Sequence, residues 1–353
     1  MNQSEGLPKT PQPPQGFDHS TRWSACLEAA RPESNEPPAW ARSGHAQTLF
    51  GHFLPGPKLV VAPQRIEIPV SGQDRLVARH YEGTKNLALL LFHGLGGSAD
   101  SDYMTRTARF GLDRGYHVFC VNHRGCGEGN GLALEPYHSG RGEDLGTALA
   151  FVRQRLPGVH LVAVGFSLSG NALLTLLTGL RGDTLPDIGV AVNAPISLER
   201  AALAMKRGWN RLYDARFVMR LRREVRNRRR SGLLKREYRI PIWTTLHDFD
   251  DIYTAPEGGF RNREDYYHSC STKDLLHRIE TPTLLLTSRD DPMIRCDDYL
   301  EASLSRWTYL HLERTGGHMG YLARRPTPLG SRFWLDYALD SYLRAIETYL
   351  RIT

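Results

Sequence analysis

The chain has 353 residues, of which 41% are hydrophobic and 24% charged, with a formal net charge of +7. That composition excludes a disordered chain, and the length fits one core carrying an insertion. No run approaches the roughly 18 consecutive apolar residues of a bilayer-spanning helix. Five scattered cysteines, Cys26, Cys120, Cys126, Cys270 and Cys296, form no Cys-x-x-Cys pair, which excludes a zinc ribbon and a disulfide framework.

Met1 to Gly16 is rich in proline and lacks the apolar core of a secretion signal. A flexible tail over residues 1–36 is expected, and with reduced cysteines the expected location is cytoplasmic. Pro37 to Leu54 reads as irregular. Lys58 to Ala62, Arg65 to Val70 and Leu76 to Tyr81 read as strands, the alternation of Ile66, Ile68 and Val70 marking half-exposed antiparallel ones. The period then changes. Leu87 to Phe92, His117 to Asn122, His160 to Phe166, Ile188 to Val192 and Pro282 to Thr287 are short, nearly continuous apolar runs, most of them separated by helical segments such as Tyr103 to Asp113, Gly142 to Arg155 and Leu168 to Leu180. Strand alternating with helix predicts an α/β fold with a mostly parallel, doubly wound sheet. Residues 197–276 interrupt the alternation and read as an inserted helical lid within one domain over residues 37–353. A last strand, Thr308 to Leu312, and a terminal amphipathic helix, Phe333 to Ile352, complete the chain.

Chemistry concentrates where an apolar strand turns into a helix, at Gly165-Phe166-Ser167-Leu168-Ser169-Gly170. So tight a turn needs small flanking residues, and it leaves the hydroxyl exposed while helix amides face the developing negative charge. This is a nucleophile elbow, although the usual Gly-x-Ser-x-Gly spacing is broken by Ser169. A serine nucleophile needs a histidine to take its proton and a carboxylate to orient that histidine. Both follow in the chain: Asp290-Asp291-Pro292 after a strand, and His318 in Gly316-Gly317-His318-Met319-Gly320. Asp291 is favoured as the acid, with Asp290 the alternative. Oxyanion-binding amides are expected from Leu95, in His93-Gly94-Leu95-Gly96-Gly97, and from Leu168. His45 and His138 are expected to make structural hydrogen bonds.

The positive charge is local. Lys206 to Arg239 carries fourteen Lys and Arg against Asp214, Glu224 and Glu237. Met205, Trp209, Leu212, Tyr213, Phe217, Val218, Leu221 and Val225 recur there at helical spacing, predicting one basic amphipathic helix with its aromatics against the core. A solvated lid face is the simplest reading, and peripheral contact with an anionic membrane surface is the second. Nucleic acid is not expected, since no recognition motif accompanies the arginines.

On Gly44-His45-Ala46-Gln47-Thr48-Leu49, His93-Gly94-Leu95-Gly96-Gly97, Asn122-His123-Arg124-Gly125-Cys126-Gly127, Tyr137-His138-Ser139-Gly140, Gly165-Phe166-Ser167-Leu168, Phe249-Asp250-Asp251, Asp265-Tyr266-Tyr267, Asp290-Asp291-Pro292 and Gly316-Gly317-His318-Met319-Gly320, the chain resembles the YheT-like α/β-hydrolases, AB hydrolase family four, from about Pro38 onward. The resemblance implies an α/β-hydrolase fold, a Ser167, Asp291, His318 triad, and hydrolysis of small-molecule or lipid carboxylic esters without metal or organic cofactor. Two departures stand out. Ser169 puts a hydroxymethyl group where the family has glycine, in a corner expected to be crowded, and the basic run is heavy. They keep open a catalytically silent protein that binds membranes or partners through its basic lid. An acyltransferase using the same triad is the other alternative.

Overall fold

A computed structural model describes residues 19–56 and 59–352. Its centre is an eight-stranded sheet of β1 (Gln64–Pro69), β2 (Arg75–Tyr81), β3 (Leu87–Phe92), β4 (His117–Asn122), β5 (His160–Phe166), β6 (Ile188–Val192), β7 (Thr283–Ser288) and β8 (Thr308–Glu313), in the order β1-β2-β4-β3-β5-β6-β7-β8. The β1/β2 and β2/β4 pairs are antiparallel and all others parallel. β3, β6 and β7 are buried throughout, because helices cover both faces of the parallel region and leave no solvated side for polar residues.

One face is covered by α3 (Asp102–Asp113) and α12 (Trp334–Leu350), the other by α4 (Gly142–Arg155) and α5 (Leu168–Leu177). α1 (His19–Ala29) packs on α12, with Trp23 and Leu27 fully buried. The tail expected over residues 1–36 is therefore ordered from His19 to Ala29; its first part lies outside the described residues. Two large apolar side chains at i and i+4 give the segment a face worth burying.

Pro37 to Leu54 is also more regular than its composition suggests. It holds α2 (Gly44–Phe53), capped by the Ser43 side chain accepting from the Ala46 amide at 3.2 Å. Residues 59–62 form no strand, correcting the expected Lys58 to Ala62 strand, whose Lys58 is outside the described residues.

Between β6 and β7 the chain builds α6 (Leu198–Met205), α7 (Asn210–Arg230), α8 (Leu246–Phe249), a π-helical turn Asp250–Thr254, α9 (Ala255–Glu257) and α10 (Arg263–Cys270); α11 (Cys296–Glu301) follows β7. The single helix expected through Met205 to Val225 is two. The chain turns between them at Gly208, whose φ of +50° suits glycine. Trp209 and Leu212 are solvent-exposed, at 72% and 63%, rather than packed on the core, while Val218, Leu221 and Val225 are buried. No helix among the described residues is long and apolar enough to cross a membrane.

Candidate active site

Ser167 stands at the carboxyl end of β5 with φ 53° and ψ −121°, a conformation that non-glycine residues rarely adopt. The turn closes so tightly that a Cβ on Gly165 would lie 2.4 Å from the Ser169 carbonyl oxygen, and one on Gly170 would lie 2.7 Å from Ala194 Cβ. The close approach that demands glycine thus falls at 165 and 170. Ser169 does not crowd the corner. It is fully buried, its hydroxyl donates to the His93 carbonyl, and it lies 2.8 Å from the Tyr137 hydroxyl and 2.6 Å from His123 Nε2.

Three residues from distant segments form one hydrogen-bonded line. Ser167 Oγ is 2.9 Å from His318 Nε2, and His318 Nδ1 is 2.8 Å from Asp291 Oδ2. Asp291 Oδ1 accepts the amides of Met293 and Ile294 at 2.8 and 3.0 Å, which fixes the carboxylate plane. Asp290 faces elsewhere and accepts the Gly316 and Gly317 amides at 2.8 and 2.9 Å, shaping the histidine loop. Of the two candidate acids, only Asp291 touches the imidazole.

Two residues that sequence reasoning passed over complete the support. Asn193, at the end of β6 with φ 47°, donates through Nδ2 to Asp291 Oδ2 at 2.7 Å and accepts the Tyr321 hydroxyl at 3.0 Å. Asparagine tolerates this left-handed backbone, so its position right after an apolar strand was the available signal. Thr48 accepts the His318 amide at 2.8 Å and donates to the Gly44 carbonyl at 2.7 Å. A Cβ on Gly317, where φ is +56°, would lie 2.3 Å from that same Gly44 carbonyl oxygen. The Gly44-to-Leu49 motif therefore serves as a brace for the histidine loop.

The His93-to-Gly97 turn lies against the serine: a Cβ on Gly94 would be 3.0 Å from Ser167 Cβ. Tyr103 accepts the Gly94 amide at 2.9 Å, and His93 Nδ1 lies 2.8 Å from the Gly94 carbonyl. Burial pushes the His93 imidazole down to about 4, keeping it neutral. Among the described residues, the amides of Leu95 and Leu168 donate to no protein acceptor.

Ser167 lies between two spaces. An inner cavity of about 100 Å³ is walled largely by apolar side chains, including Leu168, Leu198, Ala202, Met205 and Phe249. Glu224, Asp250 and His138 also face it. Burial raises the Glu224 carboxyl to about 7 and the Asp250 carboxyl to about 6, and drives His138 well below the ordinary histidine range. His138 Nδ1 accepts the Gly140 amide at 3.1 Å, and His45 pairs with Tyr213. An outer groove of about 760 Å³ also reaches Ser167 and His318.

The model of the alpha/beta hydrolase family matches residues 89–329, more than half the chain and all but the first two residues of the parallel sheet. The chain belongs to the α/β hydrolase family. This α/β hydrolase is 32% identical over 268 residues to the Escherichia coli protein named "Putative esterase YheT", across 74% of this chain and 77% of that one. It is 27% identical over 275 residues to a monoacylglycerol lipase of Saccharomyces cerevisiae, across 75% of this chain and 60% of that one. Among solved structures, an esterase of Pyrococcus furiosus superposes with a TM-score of 0.53 at 16% identity, covering 82% of this chain and 98% of that one, a likeness of fold.

Proposed function

We propose that this carboxylic ester hydrolase works through a covalent acyl-enzyme on Ser167, with His318 as general base and Asp291 as its orienting acid. The supporting observation is the unbroken line from Ser167 Oγ through both imidazole nitrogens to the Asp291 carboxylate, with neither step longer than 2.9 Å. The Ser167 proton passes to His318 Nε2 as Oγ attacks the acyl carbon, and the carbonyl oxygen becomes an oxyanion. The Leu95 and Leu168 amides receive that charge. Imidazolium then donates its proton to the departing alkoxide, and the alcohol leaves. Water, deprotonated by His318, attacks the acyl carbon; the bond to Ser167 Oγ then breaks, the imidazolium returns its proton to Oγ, and the carboxylic acid leaves. Asp291 stays ionised throughout, holding Nδ1–H and stabilising the imidazolium.

The apolar inner cavity suits the acyl chain, and the helices over residues 197–276 act as its lid. Substrates are esters with an apolar acyl portion, lipid esters included. Exposed Trp209, Leu212, Met219, Ile242 and Trp243, alongside exposed arginines of α7, support peripheral contact with an anionic lipid surface.

The test is labelling with a fluorophosphonate together with hydrolysis of p-nitrophenyl butyrate. Both are expected in the parent and lost in Ser167→Ala; equal rates in the two proteins would overturn the reading.

A further inference from the structure

The outer groove carries charge that the ester chemistry above leaves unexplained. Arg216 and Arg220 lie one turn apart on α7 and both line the groove that ends at Ser167. Both are half-buried. Their polar partners among the described residues are neutral: Arg216 donates to His52 Nε2, and Arg220 Nη1 donates to the Gly96 carbonyl at 3.3 Å. Acids do meet other arginines withdrawn from solvent in this protein, as Asp336 meets the buried Arg106 and Asp340 the half-buried Arg114. Burial and the Arg216 charge press Arg220 below its ordinary basicity, and burial and both arginines hold His52 below the usual histidine range.

Two like charges at i and i+4 destabilise a helix, and partial burial adds a desolvation penalty. A pair kept in that state beside a nucleophile is poised for an anion. The groove's own acids do not supply it: Asp100 is held by Arg79, and Asp102, at the start of α3, bonds neither guanidinium. Arg220 also spans the turn that holds Leu95, its Cδ 3.3 Å from where a Cβ on Gly96 would be. An anion held there sits on the alcohol side of a bound ester, since the apolar inner cavity takes the acyl side.

Resting on the hydrolase reading, we propose that Arg216 and Arg220 receive a phosphate group on the alcohol portion of the substrate. The preferred substrates are then carboxylic esters of phosphorylated alcohols, such as acylated glycerol phosphates. Guanidinium forks match phosphate oxygens in bidentate geometry, which makes arginine the suitable residue.

The test compares kcat/KM for two soluble esters of one acyl chain, 1-butyrylglycerol 3-phosphate and 1-butyrylglycerol, so that attraction to a lipid surface plays no part. The parent is expected to prefer the phosphorylated ester by roughly tenfold or more. Arg216→Gln and Arg220→Gln should each remove most of that preference, chiefly through KM, and Arg220→Lys should keep part of it. Glycerol 3-phosphate and inorganic phosphate, as competitors of 1-butyrylglycerol, should inhibit the parent more strongly than either Gln variant. Inhibition by both assigns the site to phosphate itself, and inhibition by glycerol 3-phosphate alone assigns it to the whole phosphorylated alcohol. Equal kcat/KM for the two esters in the parent, or parallel losses on both in the variants, would overturn the inference and leave the hydrolase reading intact. No turnover of either ester, with no fluorophosphonate labelling of Ser167, would overturn both.

Discussion

The Ser169 hydroxyl lies 2.6 Å from His123 Nε2 in a fully buried site, at a distance usual for a strong hydrogen bond. Its single proton goes to the His93 carbonyl, which can only accept, so His123 Nε2–H and the Tyr137 hydroxyl donate to the Ser169 oxygen. Burial first, and then the neighbouring His93, lower the His123 imidazole well below its ordinary range, which keeps it neutral and able to play this part. The side chain that breaks the usual elbow spacing thus ties the elbow to the turn carrying Leu95. Ser169→Gly should restore the familiar motif and damage the protein. It strands two buried donors and one acceptor, for a loss of about 2–4 kcal/mol in chemical denaturation and a lower kcat. A Gly variant as stable and active as the parent would refute the tie.

Asp290 and Asp291 are neighbours in the chain with different duties. Asp291→Asn places an amide against the His318 N–H and the Asn193 amide, which disfavours the tautomer that accepts the serine proton; kcat should fall on the order of 10⁴-fold. Asp290→Asn still offers an oxygen to the Gly316 and Gly317 amides, so most activity should remain. Steady-state kinetics of the two variants check the assignment, and similar losses would contradict it.

The limits of β3, β4, β5 and β6 were legible to the residue in the sequence, because a strand buried on both faces is written as an uninterrupted apolar run. Ser167, Asp291 and His318, which the structure brings into one hydrogen-bonded line, were legible as candidates because acyl-transfer chemistry asks for a serine, an acid and a histidine in a known order. What lay hidden depends on partners far away in sequence. Thr48 meets the His318 amide across 270 positions and Asn193 meets Asp291 across 98, and no local period encodes either pairing. α1 is hidden because it follows a proline-rich run, Pro8 to Pro14, whose composition reads as tail. Helical spacing places Tyr213 and Phe217 against the core as expected, but Trp209, at the turn before α7, is exposed, because the chain breaks at Gly208 and the spacing no longer holds there.

Arg228 illustrates the same point within the basic run. It is 2% exposed, donates to the carbonyls of Ala133, Leu134 and Leu233, and lies 3.7 Å from Glu257 Oε1. Arg228→Ser should unfold or strongly destabilise the protein, by about 3–5 kcal/mol, as expected when one partner of a buried ion pair is removed. Arg223, Arg226 and Arg230 are exposed. Their serine variants should fold normally and lower affinity for anionic vesicles by about 1 kcal/mol each at low salt. Vesicle sedimentation with and without added salt measures this, and affinity indifferent to vesicle charge would remove the lipid-surface reading.

Glu224 faces the internal cavity, and burial holds its carboxyl at about 7, with the Arg228 charge pulling the other way. In the unfolded chain the group titrates near 4.5. Between those two values the unfolded chain releases a proton that the folded protein keeps. This one group therefore makes stability fall as pH rises from about 4.5 to about 7, after which its contribution is constant. Glu224→Gln removes that loss. The variant should match the parent near pH 4.5 and exceed it by about 2 kcal/mol at pH 8, less than the full shift implies because cavity water screens part of the charge. Asp250, raised to about 6 and 2.8 Å from the Tyr267 hydroxyl, is present in both proteins and cancels from the difference. Urea denaturation of the pair at the two pH values reads the effect. A difference that does not grow with pH would mean that the carboxylate reaches bulk water and that the cavity is open on that side.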